Sequence, residues 1–276
     1  MSKKQKEKLF YVILFVVMVA LAILIIVPLM IVILGSLKNS TEAQLFNLNL
    51  PSEWHFDNYV YVIQEGGLAQ AFYNSTLITT TVTACVLIFG SMCAFIVSRR
   101  VTKTTSVIYN IFLLGMVAPL QIVTTFGLLQ VLQISGTYFA VICIKIGLHL
   151  PWTVFTMYGF MKSVPVELDE AAIIDGANPI VLFFKIILPL LKPILATAVV
   201  TVAMGAWNEF TIPLYFFNSS SKWTMPLTVY NFFGQFSSDW NYVFADLVLT
   251  AAPIAALYLY MQRFIVEGAT SGAVKG

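Results

Sequence analysis

Glu170-Ala171-Ala172-Ile173-Ile174-Asp175-Gly176-Ala177, followed by Phe183, Ile186, Leu188-Pro189 and Pro193, is a charged, helix-forming island between long apolar runs. A membrane protein that carries such an island on one side presents it to something soluble. The island therefore points to a channel-like subunit driven by a partner, and away from an enzyme.

The rest of the chain supports that setting. Of 276 residues, 59% are hydrophobic and only 10% are charged, and the mean hydropathy is +0.87. A soluble domain needs roughly 25% charged residues to cover its surface, so the bilayer must be the solvent for most of this chain. The formal net charge of +2 matters less than where the charges fall. Cys85, Cys93 and Cys143 all lie in apolar runs and are expected to act as small core hydrophobes. No His/Cys group has metal-ligand spacing, so no metal site is expected. The basic head (Lys3, Lys4, Lys6, Lys8) precedes an apolar run from Leu9 to Leu34. That run exceeds the roughly 7–15 residues of a signal-peptide core, which predicts a retained first span with its head in the cytoplasm.

Runs near the roughly 20 residues needed to cross hydrocarbon occur at about Phe10–Leu34, Ala71–Val97, Val107–Leu129, Phe139–Met161, Leu191–Ile212 and Phe244–Phe264. Backbone groups in lipid must be satisfied internally, and continuous apolar runs exclude barrel strands. The expectation is an all-α membrane protein with six transmembrane helices, residues 9–265, between a cytoplasmic head (1–8) and a tail (266–276). Its outer loops would be 36–70 and 213–243. In this scheme the basic head, Arg99, Arg100, Lys103, Lys162, Lys185, Lys192, Arg263 and Lys275 share one side, and Lys38 and Lys222 the other. The Lys/Arg bias then places both termini in the cytoplasm. Trp54, Tyr59 and Tyr61 suit a folded outer surface or an interfacial belt. Pro28, Pro119 and Pro253 lie in or near spans, where each removes a helix hydrogen bond and bends its helix.

Within residues 163–193 the island has its own punctuation. Pro165 suits a first helical turn, and Glu167, Asp169 and Glu170 complement the positive helix end. Gly176 is a stop able to turn left-handed. Asn178-Pro179 reads as the cap and first residue of a second short helix, and Pro189 and Pro193 interrupt before the next span. Leu168, Ala171, Ala172 and Asp175 share one face at helical spacing. Two alanines keep that face low, so another protein can approach closely, and Glu170 beside them can meet a basic group. An ordinary surface helix is the alternative, but a membrane-binding helix would be basic on its polar face and this one is acidic.

The island resembles the cytoplasmic coupling loop of binding-protein-dependent ABC importer permeases, Glu-Ala-Ala-x-x-Asp-Gly-Ala-x5-Phe-x2-Ile-x-Leu-Pro-x3-Pro, with every fixed position filled. Trp207-Asn208-Glu209-Phe210 and the tail from Gln262 to Gly276 look like the carbohydrate-uptake branch, although Ala269 stands where Leu is expected. The resemblance covers essentially the whole chain and is nearest to the second, six-span subunit of maltose-type importers. It implies a multi-pass subunit of a bacterial cytoplasmic membrane that forms half of an alternating-access path for sugar. The implied partners are a related permease, two ATPase subunits that bind ATP and Mg, and an extracytoplasmic sugar-binding protein. It also implies that Glu170, Ala171, Ala172, Asp175, Gly176 and Ala177 dock on the ATPase.

This chain has no Gly-x4-Gly-Lys-Ser/Thr loop to cradle phosphates, so no cofactor is expected in it and its energy must come from the ATPase subunits. Polar groups within spans are functional candidates. Lys145 and His149 lie one turn apart on the fourth span, and Asn208 and Glu209 lie near the outer end of the fifth. With Gln121 and Trp207 they are candidates for the sugar path or its outer gate, including a Lys145–Glu209 pair. The alternatives are that Lys145 snorkels, that Glu209 pairs structurally, and that the second permease alone holds the sugar. Asn218, Ser219, Ser220 and Lys222 lie in the long aromatic and polar outer segment, which the resemblance directs toward the binding protein. The Asn74-Ser75-Thr76 triplet fits a glycosylation pattern but is set aside, because it lies near or within a span. Rival readings are an ABC permease for a non-sugar solute and a secondary transporter. The second should show matched sets of interrupted helices and needs no coupling loop.

Overall fold

The computed structural model describes residues 3–233 and 239–273, the side chains of residues 3, 4, 6 and 263–273 excepted. Every long element is helical: α1 Lys3–Gly35, α2 Ser40–Ala43, α3 Asp57–Glu65, α4 Leu68–Arg99, α5 Lys103–Val117, α6 Ile122–Val131 and α7 Tyr138–Met161. There follow α8 Glu167–Ile174, α9 Pro179–Val181, a π-helical stretch Leu182–Ile187, α10 Leu188–Leu190, α11 Lys192–Asn208, α12 Thr211–Phe216, α13 Met225–Thr228 and α14 Trp240–Ala273.

The expectation of six spans is not met. Among the described residues four helices are long and apolar enough to cross a membrane, within Glu7–Gly35, Leu68–Arg99, Tyr138–Met161 and Trp240–Gln262. A bent pair, Pro179–Leu190 with Lys192–Asn208, raises the number to five if it counts as one span, but its halves meet at 81°. The expected third span is two short helices, α5 and α6. The cause is Pro119: the residue before a proline is pushed out of the helical region, and Ala118 sits at φ −70°, ψ 118°. Gln121, at φ −93°, ψ 97°, is still extended before α6 starts. Pro28 and Pro253, by contrast, lie inside continuous helices, as does Pro151. The fifth expected span yields only the 17 residues of α11, because Leu191 (φ −83°, ψ 0°) breaks the chain before Lys192 and Glu209 turns extended after Asn208.

The chain divides into two compact units. The first comprises residues 1–69 and 228–251. Within it the apolar window of α1 buries none of its surface, as suits a helix whose solvent is lipid. The connection after α1 is folded. Asn58 donates to the carbonyls of Ser36 and Lys38, each at 2.9 Å, and accepts from Asn241 at 3.0 Å. Tyr61 stacks on Tyr242 at 4.3 Å, and the Tyr59 and Ser36 hydroxyls pair at 2.6 Å. Lys38 is buried and donates to Asn47. Trp54 is exposed and stacks on Phe56.

The second unit comprises residues 70–227 and 252–276. Its core packs Ile78, Val82 and Val86 of α4 against Ala140 and Val141 of α7, Val202 and Ala206 of α11, and Ile212 and Phe216 of α12. Side chains four apart on α4 form this stripe. A second cluster, Met161, Val164, Ala172, Leu182, Phe183, Ile187 and Leu191, seats the loop after α7. The cysteine expectation needs adjustment: all three thiols are free, but Cys85 and Cys93 are half-buried and Cys143 is exposed. The tail (266–276) continues α14 as helix to Ala273. Its side chains and residues 274–276 lie outside the described residues.

Candidate functional site: the loop helix α8 and the polar seam beside α11

Asn74 and Arg99 lie toward opposite ends of α4. They are 25 residues apart on α4, about 38 Å at 1.5 Å per residue, which exceeds the roughly 30 Å of a hydrocarbon core. At the Arg99 end stands α8. It begins at Glu167 with Val166 as its cap, so Pro165 lies just ahead of the helix and outside its first turn. Helical spacing turns Asp169 and Ala172 inward, where both are buried. Arg99 clamps Asp169 through two bonds, Nε to Oδ2 at 2.7 Å and Nη2 to Oδ1 at 3.2 Å. Its Nη1 donates to the carbonyls of Val164 (3.1 Å) and Met161 (3.4 Å). One planar guanidinium thus ties α4, the end of α7 and the first turn of α8 together, a fork geometry lysine cannot reproduce.

The far end of α8 closes as the glycine foretold. Gly176 has φ +85°. The Gly176 amide bonds the Ile173 carbonyl at 3.0 Å, and the Ala177 amide reaches back to Ala172 at 2.9 Å. These two bonds are a Schellman cap, and Ala177 packs on the cluster that holds Ala172. Asn178 then caps α9 by accepting from the Val181 amide at 2.9 Å, with Pro179 at the start. Of the expected docking residues, Ala172 is therefore internal. Glu170, Ala171, Asp175 and Gly176 are exposed. Ile174 is 85% and Ile173 60% exposed beside them, so the outward surface is both acidic and apolar. Sequence reasoning does not single out Asp169 and Arg99 as a pair; their link spans 70 residues.

Of the six path candidates, the structure joins Lys145 to Glu209 and sets His149 close by, against Gly205 of α11. Lys145 is almost fully buried. Its ammonium donates to the Ala206 carbonyl at 2.7 Å and to the Glu209 carbonyl at 3.4 Å, with the Glu209 carboxylate 3.9 Å away. That carboxylate accepts from the Thr211 and Ile212 amides at 2.7 and 3.0 Å and so caps α12. Lys145 serves first as partner for the Ala206 carbonyl in the last turn of α11, where a helix runs out of its own amides, and second as ion partner. His149 abuts Gly205: a β-carbon there would stand 2.5 Å from the imidazole Cε1. Trp207 is buried and meets Phe72 edge-on at 6.0 Å. Asn208 and Gln121 are exposed, and Gln121 lies at the α5–α6 break.

The outer-segment candidates fold back on their own chain. Lys222 donates to the Gly136 carbonyl at 2.5 Å and lies over the Tyr138 ring. Asn218 covers Gly136, where a β-carbon would stand 2.8 Å from its amide nitrogen. Ser219 caps the short turn Ser220–Lys222, and both serines are exposed. Asn74, fully buried, holds this segment by donating to the Ser221 and Trp223 carbonyls and accepting from Tyr138. The apparent glycosylation asparagine is thus a structural bracket. No group of three or more His, Cys, Asp or Glu side chains placed to hold a metal ion occurs among the described residues.

A multi-pass helical unit with an exposed, capped loop helix defines a membrane permease subunit of the ABC importer class. The chain belongs to the family of binding-protein-dependent transport system inner membrane components, whose model matches residues 86–270. Permease subunits of this family are transport components, and ATP hydrolysis resides in separate subunits. The multiple sugar-binding transport system permease protein MsmG of Streptococcus mutans is 33% identical over 277 residues, covering 99% of this chain and all of that one. The probable starch degradation products transport system permease protein AmyC of Thermoanaerobacterium thermosulfurigenes is 34% identical over 262 residues, 93% of this chain and 94% of that one. The fold matches a chain in the crystal structure of a bacterial ABC transporter involved in the import of the acidic polysaccharide alginate. The TM-score is 0.82 at 21% identity, covering 95% of this chain and 98% of that one. Homology to ABC importers implies a second permease, ATPase subunits and an extracytoplasmic binding protein as partners.

Proposed function

We propose that this chain is a membrane subunit of an ATP-driven oligosaccharide importer and that α8 is the element through which ATPase closure reaches the membrane helices. The observation that carries the coupling role is the mounting of α8. Asp169 is locked to Arg99 at its base, while Glu170, Ala171 and Asp175 face outward. A push on the exposed face acts on Arg99, and through it on α4 and α7, with little compliance. The Lys/Arg bias supports a cytoplasmic placement for the basic head, for Arg99 and for this loop.

Sugar as cargo is supported by the relatives, which are named for multiple sugars and for starch degradation products. Two ATPase subunits, each binding ATP and Mg, would drive a pair of permeases, and a sugar-binding protein would deliver from outside. Ser219 and Ser220, held forward by the Asn74 bracket, offer it hydroxyls. Lys145 and Glu209 fit a structural lock on the α11–α12 break better than a bare ionic gate, because a backbone carbonyl is the nearer partner of the ammonium.

The test is reconstitution with the partner subunits and a panel of binding proteins loaded with raffinose, maltotriose or arabinotriose. Stimulation of ATP hydrolysis by one of these supports the reading. Stimulation only by a binding protein carrying a non-sugar solute would overturn the cargo assignment and leave the permease class intact.

A further inference from the structure

Pro179–Leu190 is a second helical leg of the loop that carries α8. In a regular α-helix Ile180, Phe183, Phe184 and Ile187 would fall on one stripe, at spacings of three and four. The chain does not keep that stripe. Leu182–Ile187 is wound as a π-helix, the wider i→i+5 form that recurs at functional sites. Phe183 and Ile187 turn inward with Leu182, all 6% exposed or less, whereas Ile180 and Phe184 turn outward, 70% and 45% exposed. The inner face packs with Met161, Val164 and Ala172, and Phe183 meets Phe95 of α4 at 5.6 Å. Phe95 is one turn from Arg99, so this leg lies at the same end of α4 as α8.

Two further observations say what the outward face meets. The leg joins α11 at 81°. Membrane helices tilt by about 20° on average, so a leg bent by 81° from a spanning α11 lies within about 30° of the membrane plane. The second observation is charge. Lys185 and Lys192 are the only charged residues between Asp175 and Glu209, and both are exposed. An in-plane helix that is apolar on its outward face and basic in its polar groups is built for the headgroup layer of an anionic leaflet. The exposed face of α8 has the opposite charge, with Glu170 and Asp175. The loop thus divides into an acidic leg that suits a basic protein surface and a basic leg that suits phosphate.

We propose that Pro179–Leu190 is an interfacial helix. Ile180 and Phe184 seat at the boundary of headgroups and acyl chains, and Lys185 and Lys192 pair with the phosphates of anionic phospholipids in the cytoplasmic leaflet. The cluster that Ala172 shares with Phe183 and Ile187 carries this seat to α8. Arg99 holds the first turn of α8, and the lipid-seated leg holds its last. Without anionic lipid the last turn yields when the ATPase pushes, and coupling falls. The lipid contact rests on the membrane orientation proposed above; only its effect on transport rests on α8 as the coupling element.

The test uses the full complex, with ATPase subunits and binding protein, in vesicles of phosphatidylcholine alone or with phosphatidylglycerol. Phe184→p-benzoylphenylalanine keeps an aromatic side chain and reports its neighbour on irradiation. Mass spectrometry should find a phospholipid adduct on this chain. A cross-link to the second permease or to an ATPase subunit, or no adduct at all, overturns the seat. Binding-protein-stimulated ATP hydrolysis should be at least about five-fold higher with phosphatidylglycerol, the scale set by one surface lysine on an anionic leaflet. K185Q/K192Q should lose that gain and match the parent in phosphatidylcholine, and K185R/K192R should keep it. A gain as large in the glutamine variant as in the parent overturns the headgroup contact, as does no gain in a parent that the binding protein stimulates. A phospholipid adduct in a complex that the binding protein never stimulates would keep the seat and overturn the coupling role of α8 instead.

Discussion

Arg99 and Asp169 meet across 70 residues of sequence in a two-bond pair, 2.7 and 3.2 Å, and this pair ties the first turn of α8 to the end of α4. Both side chains are nearly buried, at 12% and 9%, so neither is screened as a surface pair would be. Breaking a buried pair by removing one partner costs about 3–5 kcal/mol. Asp169→Ala should therefore loosen α8, reducing binding-protein-stimulated ATP hydrolysis and uptake together. Arg99→Lys should rescue poorly, because one ammonium cannot span Asp169 and two carbonyls. ATPase assays on reconstituted variants check both.

Gly176 adopts φ +85°, and a β-carbon added there would have no other atom within 4 Å, so substitution strains the backbone without a steric clash. A left-handed conformation costs an ordinary L-residue about 1–2 kcal/mol, and asparagine tolerates it better. Coupled uptake should rank Gly176 above Asn, Asn above Ala, and Ala above Val. Equal activity of all four would show that the Schellman cap is dispensable.

Legibility from sequence falls with the separation of the partners along the chain. Gly176, Asn178 and Pro179 are legible because a helix stop and a helix start are local chemistry. Asp169 is legible as a first-turn acid, but its partner is not, since nothing local points to Arg99. Pro119 is visible as a helix breaker. Its consequence escapes a hydropathy reading, which counts apolar residues and is blind to the extended Ala118–Gln121 stretch that divides α5 from α6. Opposite charge suggests a Lys145–Glu209 pair. The folded chain makes the Ala206 carbonyl the nearer partner of the ammonium, because α11 runs out of its own amides at that end.

That last relation predicts the outcome of a charge swap. A glutamate at position 145 cannot donate to the Ala206 carbonyl, and a lysine at 209 cannot accept from the Thr211 and Ile212 amides. The doubly swapped chain should therefore transport no better than either single variant. Recovery to parental uptake would show that the ionic contact alone matters.

Gly205 and His149 fit as hole and ring. Gly205→Ala places a β-carbon 2.5 Å from the imidazole, which forces the ring to move, and overpacking of this kind costs about 1–3 kcal/mol. Thermal denaturation of Gly205→Ala should occur below the parent, and adding His149→Ala should restore part of the loss. No recovery in the double variant would place the strain elsewhere.

Asn74 holds two carbonyls and a tyrosine hydroxyl. Asn74→Ala leaves buried groups unpaired at about 1–3 kcal/mol each. It should make the Ser219–Lys222 segment more sensitive to protease and weaken stimulation by the binding protein. Limited proteolysis and ATPase titration with binding protein measure the two effects.

Uptake by a Glu170→Lys chain in the reconstituted complex tests the coupling role of α8 most directly. The Glu170 side chain is exposed and takes no part in the Arg99–Asp169 pair that holds α8, so the variant should reach the membrane at parental abundance and lose sugar uptake with ATPase stimulation. Parental uptake by that chain, at parental abundance, would contradict the role of α8 as the ATPase contact.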